Sequence, residues 1–148
     1  MPAVDASIAH FPMRTCKKLR YADTGRQEHV NNAMFPTMFE TGRGELLYAS
    51  DSPLPAKGCV LVIASLHLDF HGENTWPGRV DIGSRVSTVG TRSLTLEQGM
   101  FQSHCCVATA KTAIVQMNEK SRRSHPLSNA TRAGTCRTHP AVALRTLS

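Results

Sequence analysis

The chain has 148 residues, 41% hydrophobic and 19% charged, with a formal net charge of +6. That suffices for one domain with its own core, is too little for two, and is too apolar for a disordered chain. The longest apolar run, Cys59 to Ala64, stops after six residues, far short of a bilayer span, and the N-terminus shows no basic start followed by an apolar stretch, so neither a membrane helix nor a secretory signal is expected.

Arg14 to Ala22 alternates Leu19 with Tyr21 and predicts a strand, placed near a sheet edge by its lysines. Asp23–Asn32 (DTGRQEHVNN) is a polar loop. From Ala33 to Tyr48 the period changes: Phe35, Met38, Phe39, Gly42, Leu46 and Leu47 recur at helical spacing and give an apolar face. Pro36 fits the first turn of that helix. Gly42 and Gly44 are poor helix formers and predict close packing against that surface. Residues 51–58 form a turn-rich exit.

Beyond Cys59 the signal is β. Residues 59–71 start as a continuous apolar run and then alternate, with Ala64, Leu66, Leu68 and Phe70 on one face and Ser65, His67, Asp69 and His71 on the other. A loop (GENTWPG) leads to strands over 79–89, 93–102 and 105–117, with Val80 and Ile82 inward. Short connections between consecutive strands imply antiparallel pairing. One amphipathic helix amid five such strands has one economical packing, with the sheet curled around the helix. The fold class is α+β.

The positive charge sits at the end of the chain. Residues 1–118 carry eleven Lys/Arg against ten Asp/Glu, whereas 119–148 carry six against Glu119 alone. We therefore expect an N-terminal segment (1–13), a domain (14–128) and a basic, mobile tail (129–148). Aromatic residues make up 5% of the chain and nowhere interleave with basic ones, so nucleic acid is not an expected partner. Five cysteines, an odd number without a C-x-x-C, read as reduced thiols of a cytoplasmic protein.

Arg20–Glu40 (RYADTGRQEHVNNAMFPTMFE) resembles the signature of the 4-hydroxybenzoyl-CoA thioesterase family of hotdog-fold proteins. In that family a strand ending in an aromatic residue is followed by an aspartate, a short polar loop, a His-Val-Asn-Asn stretch and the central helix. Gly78–Phe101 resembles the family's paired strands and Cys106–Arg123 its last strand, so the likeness spans 14–128. Glu28 stands where the family has glycine before the histidine, and Gly25 where a second acidic residue is common.

The resemblance implies a hotdog fold and an acyl-CoA thioesterase that releases a free acid and CoA without a cofactor; the histidines show no ligand spacing, so no metal is expected. It also implies a homodimer or homotetramer with sites at the subunit boundary. Asp23 matches the family's catalytic loop aspartate, as general base or nucleophile, or it serves only as a turn residue. His29 positions the thioester or water, or is an ordinary loop histidine. Amides near Asn32, Ala33 and the following residues, at the positive end of the helix dipole, would polarise the carbonyl. Asn31 and Asn32 bind substrate or cap the helix. Glu40 is the reserve carboxylate, or pairs with Arg43 at i,i+3. Arg85, Arg92 and Lys111 are candidate phosphate contacts for CoA, and Ser93 matches the family's turn serine. Substrates on acyl carrier protein, or acyl-CoA binding without turnover, are the alternatives. The Ser65–His67–Asp69–His71 face reads as a polar sheet face, because same-face neighbours lie about 6.6 Å apart along a strand.

Overall fold

The computed structural model describes residues 7–26, 29–48 and 55–129. It contains strands β1 (Met13–Lys18), β2 (Cys59–Phe70), β3 (Arg79–Val89), β4 (Ser93–Gln102) and β5 (Cys105–Asn118), and one long helix, α1 (Met34–Tyr48). All pairings are antiparallel, in the spatial order β1-β3-β4-β5-β2, and α1 packs on one face of this sheet. The basic tail beyond residue 129, Glu28 and half of the 51–58 exit (51–54) lie outside the described residues. Among the described residues, no helix is long and apolar enough to cross a membrane.

The expected α+β hotdog arrangement is present, with three local corrections. The first strand ends at Lys18, and Tyr21 opens a single 3₁₀ turn, Tyr21–Asp23. Consecutive strands do not all pair: β3, β4 and β5 form a meander, but β2 pairs with β5 and β3 with β1. The 71–78 connection therefore crosses the end of the sheet. It steps over β5 and β4, about 14 Å at normal strand spacing, well within the reach of eight residues. Hydrogen bonds mark its path. The His71 and Gly72 amides donate to the Val107 carbonyl, Thr75 is clamped by the Gln102 side chain through two bonds of 2.8 Å, and the Gly78 carbonyl accepts from Leu19 at 2.9 Å.

The third correction concerns β2. Register slips at Ala64, between Ile63 and Ser65, the mark of a bulge. Beyond it Leu68 packs on the core and Phe70 meets Phe35 edge-on at 5.1 Å. Yet Ile63, Leu66 and Phe70 stay 50%, 40% and 38% exposed, because β2 is an edge strand. The polar face is also closer-knit than strand spacing suggests: His67 Nε2 and Asp69 Oδ2 stand 3.1 Å apart, their side chains leaning together.

The core divides around a polar layer. Phe35, Met38 and Phe39 pack with Val80, Ile82, Met100 and Ala108, while Leu46 and Leu47 pack with Val86, Leu94, Leu96 and Ile114. Between them lies buried Gln98. Its Nε2 donates to the Phe39 carbonyl and to Ser84 Oγ, both at 2.9 Å, and its Oε1 accepts from Arg43 Nη1 at 3.4 Å. A second link joins Thr15 of β1, through its hydroxyl, to the Glu45 carboxylate of α1. Phe11, from the segment before β1, is buried over Gly83 and against the ring of Phe101.

The two helix glycines differ. A Cβ at Gly42 would lie 2.9 Å from Gln98 Nε2 and 3.0 Å from Ile82 and Ser84, whereas one at Gly44 would meet nothing within 4 Å. Close packing, expected at both, holds only at Gly42. Gly42→Ala should therefore destabilise the protein by about 1–3 kcal/mol through overpacking. Gly44→Ala should stabilise it by up to about 1 kcal/mol through helix propensity. Urea denaturation of the two variants checks both signs.

Candidate active site

The 23–32 loop is folded onto itself by backbone bonds that its sequence makes possible. The 3₁₀ turn closes with Asp23 N–H on the Arg20 carbonyl at 2.9 Å and Thr24 N–H on that of Tyr21 at 3.0 Å. Thr24 then bridges to Val30, and Gly25 N–H donates to the His29 carbonyl at 2.9 Å. The crossing connection supplies a third segment: Val30 N–H donates to the Asn74 carbonyl at 2.9 Å, and His29 bridges to Thr75.

Asp23 anchors this assembly. Its side chain is fully buried, with Oδ2 accepting from the Arg20 amide and Oδ1 from Arg20 Nη2, each at 2.9 Å. Its carbonyl accepts from Asn31 N–H at 2.9 Å. The Arg20 guanidinium holds the Asp23 carboxyl below the usual carboxylate range, outweighing the opposing effect of burial. Asp23 is thus ionised at neutral pH, as either catalytic role would need, but its oxygens already have Arg20 as partner.

His29 is more open. Its Nδ1 lies 3.2 Å from Glu73 Oε2, and both side chains reach solvent. A neutral imidazole that donates through Nδ1 presents Nε2 as an acceptor. Next along the chain, Asn31 caps α1: its Oδ1 accepts from Ala33 N–H at 3.0 Å and its carbonyl from Met34 N–H at 2.8 Å. Phe35 N–H reaches the Asn32 carbonyl at 3.3 Å. The first amides of the helix, expected to be unpaired, are therefore satisfied by the cap. Asn31, Asn32 and Ala33 are exposed at the positive end of α1.

The other candidates lie elsewhere in the subunit. Glu40 is exposed on α1, about 10 Å beyond Ala33 at 1.5 Å per residue. Among the described residues no ion pair joins it to Arg43, which turns inward toward Gln98. Arg85 projects from the sheet face opposite α1, where it binds Glu97 and covers the Phe11 ring at 5.0 Å. Lys111 pairs across from Glu97 in the same row. Arg92 donates to the Ser124 carbonyl at 3.1 Å, and Ser93 opens β4. These two lie at the end of the sheet away from the loop, because β3 starts beside Leu19 and runs its 11 residues to Val89.

Sequence reading missed Glu73, Asn74 and Thr75, since GENTWPG showed only turn character. Asn74 is fully buried, with Nδ2 3.0 Å from Met100 Sδ and with Oδ1 lacking a partner among the described residues. Gln98 carried a legible signal: it interrupts the inward series Leu94, Leu96 and Met100 with a polar residue.

Comparison with known proteins accords with this architecture. No curated protein sequence matches the chain significantly. Similar solved structures include a predicted thioesterase from Bacillus stearothermophilus, with 22% identity, a TM-score of 0.76 and coverage of 86% of this chain and 96% of that one. The probable thioesterase YbaW from Escherichia coli shares 23% identity with a TM-score of 0.74, covering 82% and 94%. A thioesterase from Thermus thermophilus, complexed with coenzyme A and Zn, shares 23% with a TM-score of 0.77, covering 88% and 97%. At these identities the likeness establishes the fold. The family assignment comes from the sequence itself: residues 19–134, which take in the loop, α1 and strands β2 to β5, match the model of the thioesterase-like superfamily, and the chain belongs to that family.

Proposed function

We propose that the protein is a homodimeric acyl-CoA thioesterase whose chemistry takes place at the amino end of α1. The observation that carries this reading is the His29–Glu73 pair, held beside the exposed start of the helix by the crossing connection. Family membership supplies the reaction class, and a similar fold is known with coenzyme A bound.

In this reading Glu73 accepts from His29 Nδ1–H and leaves Nε2 to take a proton from water. The water oxygen attacks the thioester carbonyl carbon while the α1 dipole and the exposed side-chain amide groups of Asn31 and Asn32 face the developing oxyanion. The tetrahedral intermediate expels the CoA thiolate, which recovers the proton from His29, and the acid is released. Asp23 works through the loop: ionised against Arg20, it holds the turn that presents His29 and Asn31. The resemblance also allows Asp23 itself as base or nucleophile, which would require Arg20 to release it.

Support for a dimer comes from the two sheet edges. β1 carries Arg14, Lys17 and Lys18, whereas β2 exposes Ile63, Leu66 and Phe70, an unprotected edge suited to strand addition. Antiparallel pairing of two β2 strands would turn the partner's β3–β4 end toward this subunit's loop. That would bring the cations near Arg92 and Ser93 within reach of a CoA held there.

Thiol release from a panel of acyl-CoAs tests the activity. Wild type should turn over, and His29→Gln should lose about 10²-fold or more. Asp23→Asn should lower the thermal midpoint while keeping most of the turnover. Collapse of turnover in a folded Asp23→Asn, with His29→Gln still active, would assign the base to Asp23. Binding of acyl-CoA without thiol release would make the protein a non-catalytic binder.

Because the folded Asp23 pKa lies below its unfolded value, this group contributes stability above the unfolded pKa and loses it as pH falls through the folded one. The wild-type midpoint should therefore drop below about pH 4 more steeply than that of Asp23→Asn. Light scattering should give twice the 16.2 kDa chain mass, and Leu66→Glu should yield a monomer that has lost turnover.

A further inference from the structure

A cavity lies further along α1, between the helix and strands β2 and β5. It is a half-open groove of about 180 Å³, walled by Leu47, Leu61, Ile63 and Ile114, with Arg43, Gly44 and Glu40 along the helix side. Position 44 leaves this space open: a Cβ there would meet nothing within 4 Å. Ala33 and Arg43 are ten residues apart, about 15 Å along the helix, so the cavity sits where the far part of a long chain would arrive from the helix start.

Its polar groups are unusual for an apolar slot. Arg43 is only 6% exposed, and among the described residues its one hydrogen bond is the 3.4 Å contact with Gln98 Oε1; Glu40 acts on it by charge but stands beyond ion-pair distance. Burying a guanidinium without a contacting carboxylate is costly; burial pushes its pKa down, outweighing the opposing effect of the Glu40 charge. A guanidinium has five N–H donors, of which Gln98 takes one. Glu40, one turn earlier on the same wall, supplies an acceptor that Arg43 does not use.

Resting on the thioesterase reading, we infer that this cavity selects acyl groups bearing a hydroxyl toward their far end. The hydroxyl oxygen accepts a hydrogen bond from Arg43, its O–H donates one to the Glu40 carboxylate, and the flanking methylenes lie against Leu47, Leu61 and Ile63. A carboxylate in the same place would satisfy Arg43 but face the charge of Glu40. An unsubstituted chain would fill the slot and leave Arg43 unpaired. Discrimination of this kind is strong, because a buried polar group left without its partner penalises the wrong substrate.

The test compares ω-hydroxyacyl-CoA with unsubstituted acyl-CoA of equal length, over a series of lengths, by thiol release and by calorimetric binding. Wild type should favour the hydroxylated member by about tenfold or more at the best length. Arg43→Met should bring the ratio near one, and Arg43→Lys should retain part of it. Gly44→Val, which narrows the slot without touching its polar groups, should shorten the preferred chain and erase the preference, and so covers the case of an Arg43→Met that does not fold. Equal kcat/KM and equal affinity for the pair in wild type would overturn the inference while leaving the thioesterase reading intact. Absence of thiol release with a retained binding preference would do the reverse. An Arg43→Met that changes only the oligomeric state would overturn it too, placing Arg43 in the subunit contact instead.

Discussion

The placement of α1 depends on Gln98. A helix packed on a sheet through Phe, Met and Leu alone could slide along it at modest cost, because apolar contacts have little directionality. Gln98 removes that freedom. Both of its amide protons are committed, one to the Phe39 carbonyl of α1 and one to Ser84 of β3, and an unmade bond at a buried amide costs about 1–3 kcal/mol. Gly42 lets the helix come close enough for these bonds. The same contact fixes the height of the helix start above the sheet end and the inward turn of Arg43.

From that fixed helix, the loop before it has little choice of position. Asn31 caps α1 and also donates its own amide to the Asp23 carbonyl, so the helix cap and the 3₁₀ turn share one residue. Arg20 and Asp23 lock the turn from the other side. The crossing connection completes the enclosure: pinned to β5 at Val107, to β4 at Gln102 and to the end of β1 at Leu19, it carries Glu73 to His29. The turn and cap that flank it, together with one connection distant in sequence, thus hold one imidazole. Side chains held by backbone bonds on both flanks keep their geometry better than those on a free loop.

How far the sequence discloses this follows from the range of each interaction. The period change at Ala33 and the alternation beyond Cys59 are local, so the helix and the strand order along the chain were legible, as was the edge position of β1 from its lysines. Strand neighbours were not legible. Whether β2 pairs with β3 or β5 depends on how far the sheet curls, and a short connection is compatible with both. The loop motif located Asp23, His29 and Asn31 close together in space, because they lie within one short segment tied to a helix start. It could not disclose that Arg20 encloses Asp23, since an i,i+3 pair can equally point to solvent. Nor could it find Glu73, whose only link to His29 is tertiary. Gln98 was readable as a polar residue at an inward position, a mismatch that often marks a specific buried bond.

The two edges of the sheet give a final constraint. An isolated five-stranded sheet with one helix leaves both edge strands open, and natural proteins blunt such edges with charge or bulges. β1 is blunted by Arg14, Lys17 and Lys18. β2 carries a bulge at Ala64, but apolar residues flank it on both sides. A bulge re-aims the strand and limits how many partners can pair with it, while exposed Ile63 and Leu66 make solvent contact unfavourable there. Together these features suit one symmetric neighbour rather than an open-ended stack, since a two-fold contact uses the same patch on both copies and then closes. Ile63 also walls the Arg43 cavity. The edge proposed for assembly and the slot proposed for selectivity therefore share a residue, so a change in either would be felt at the other.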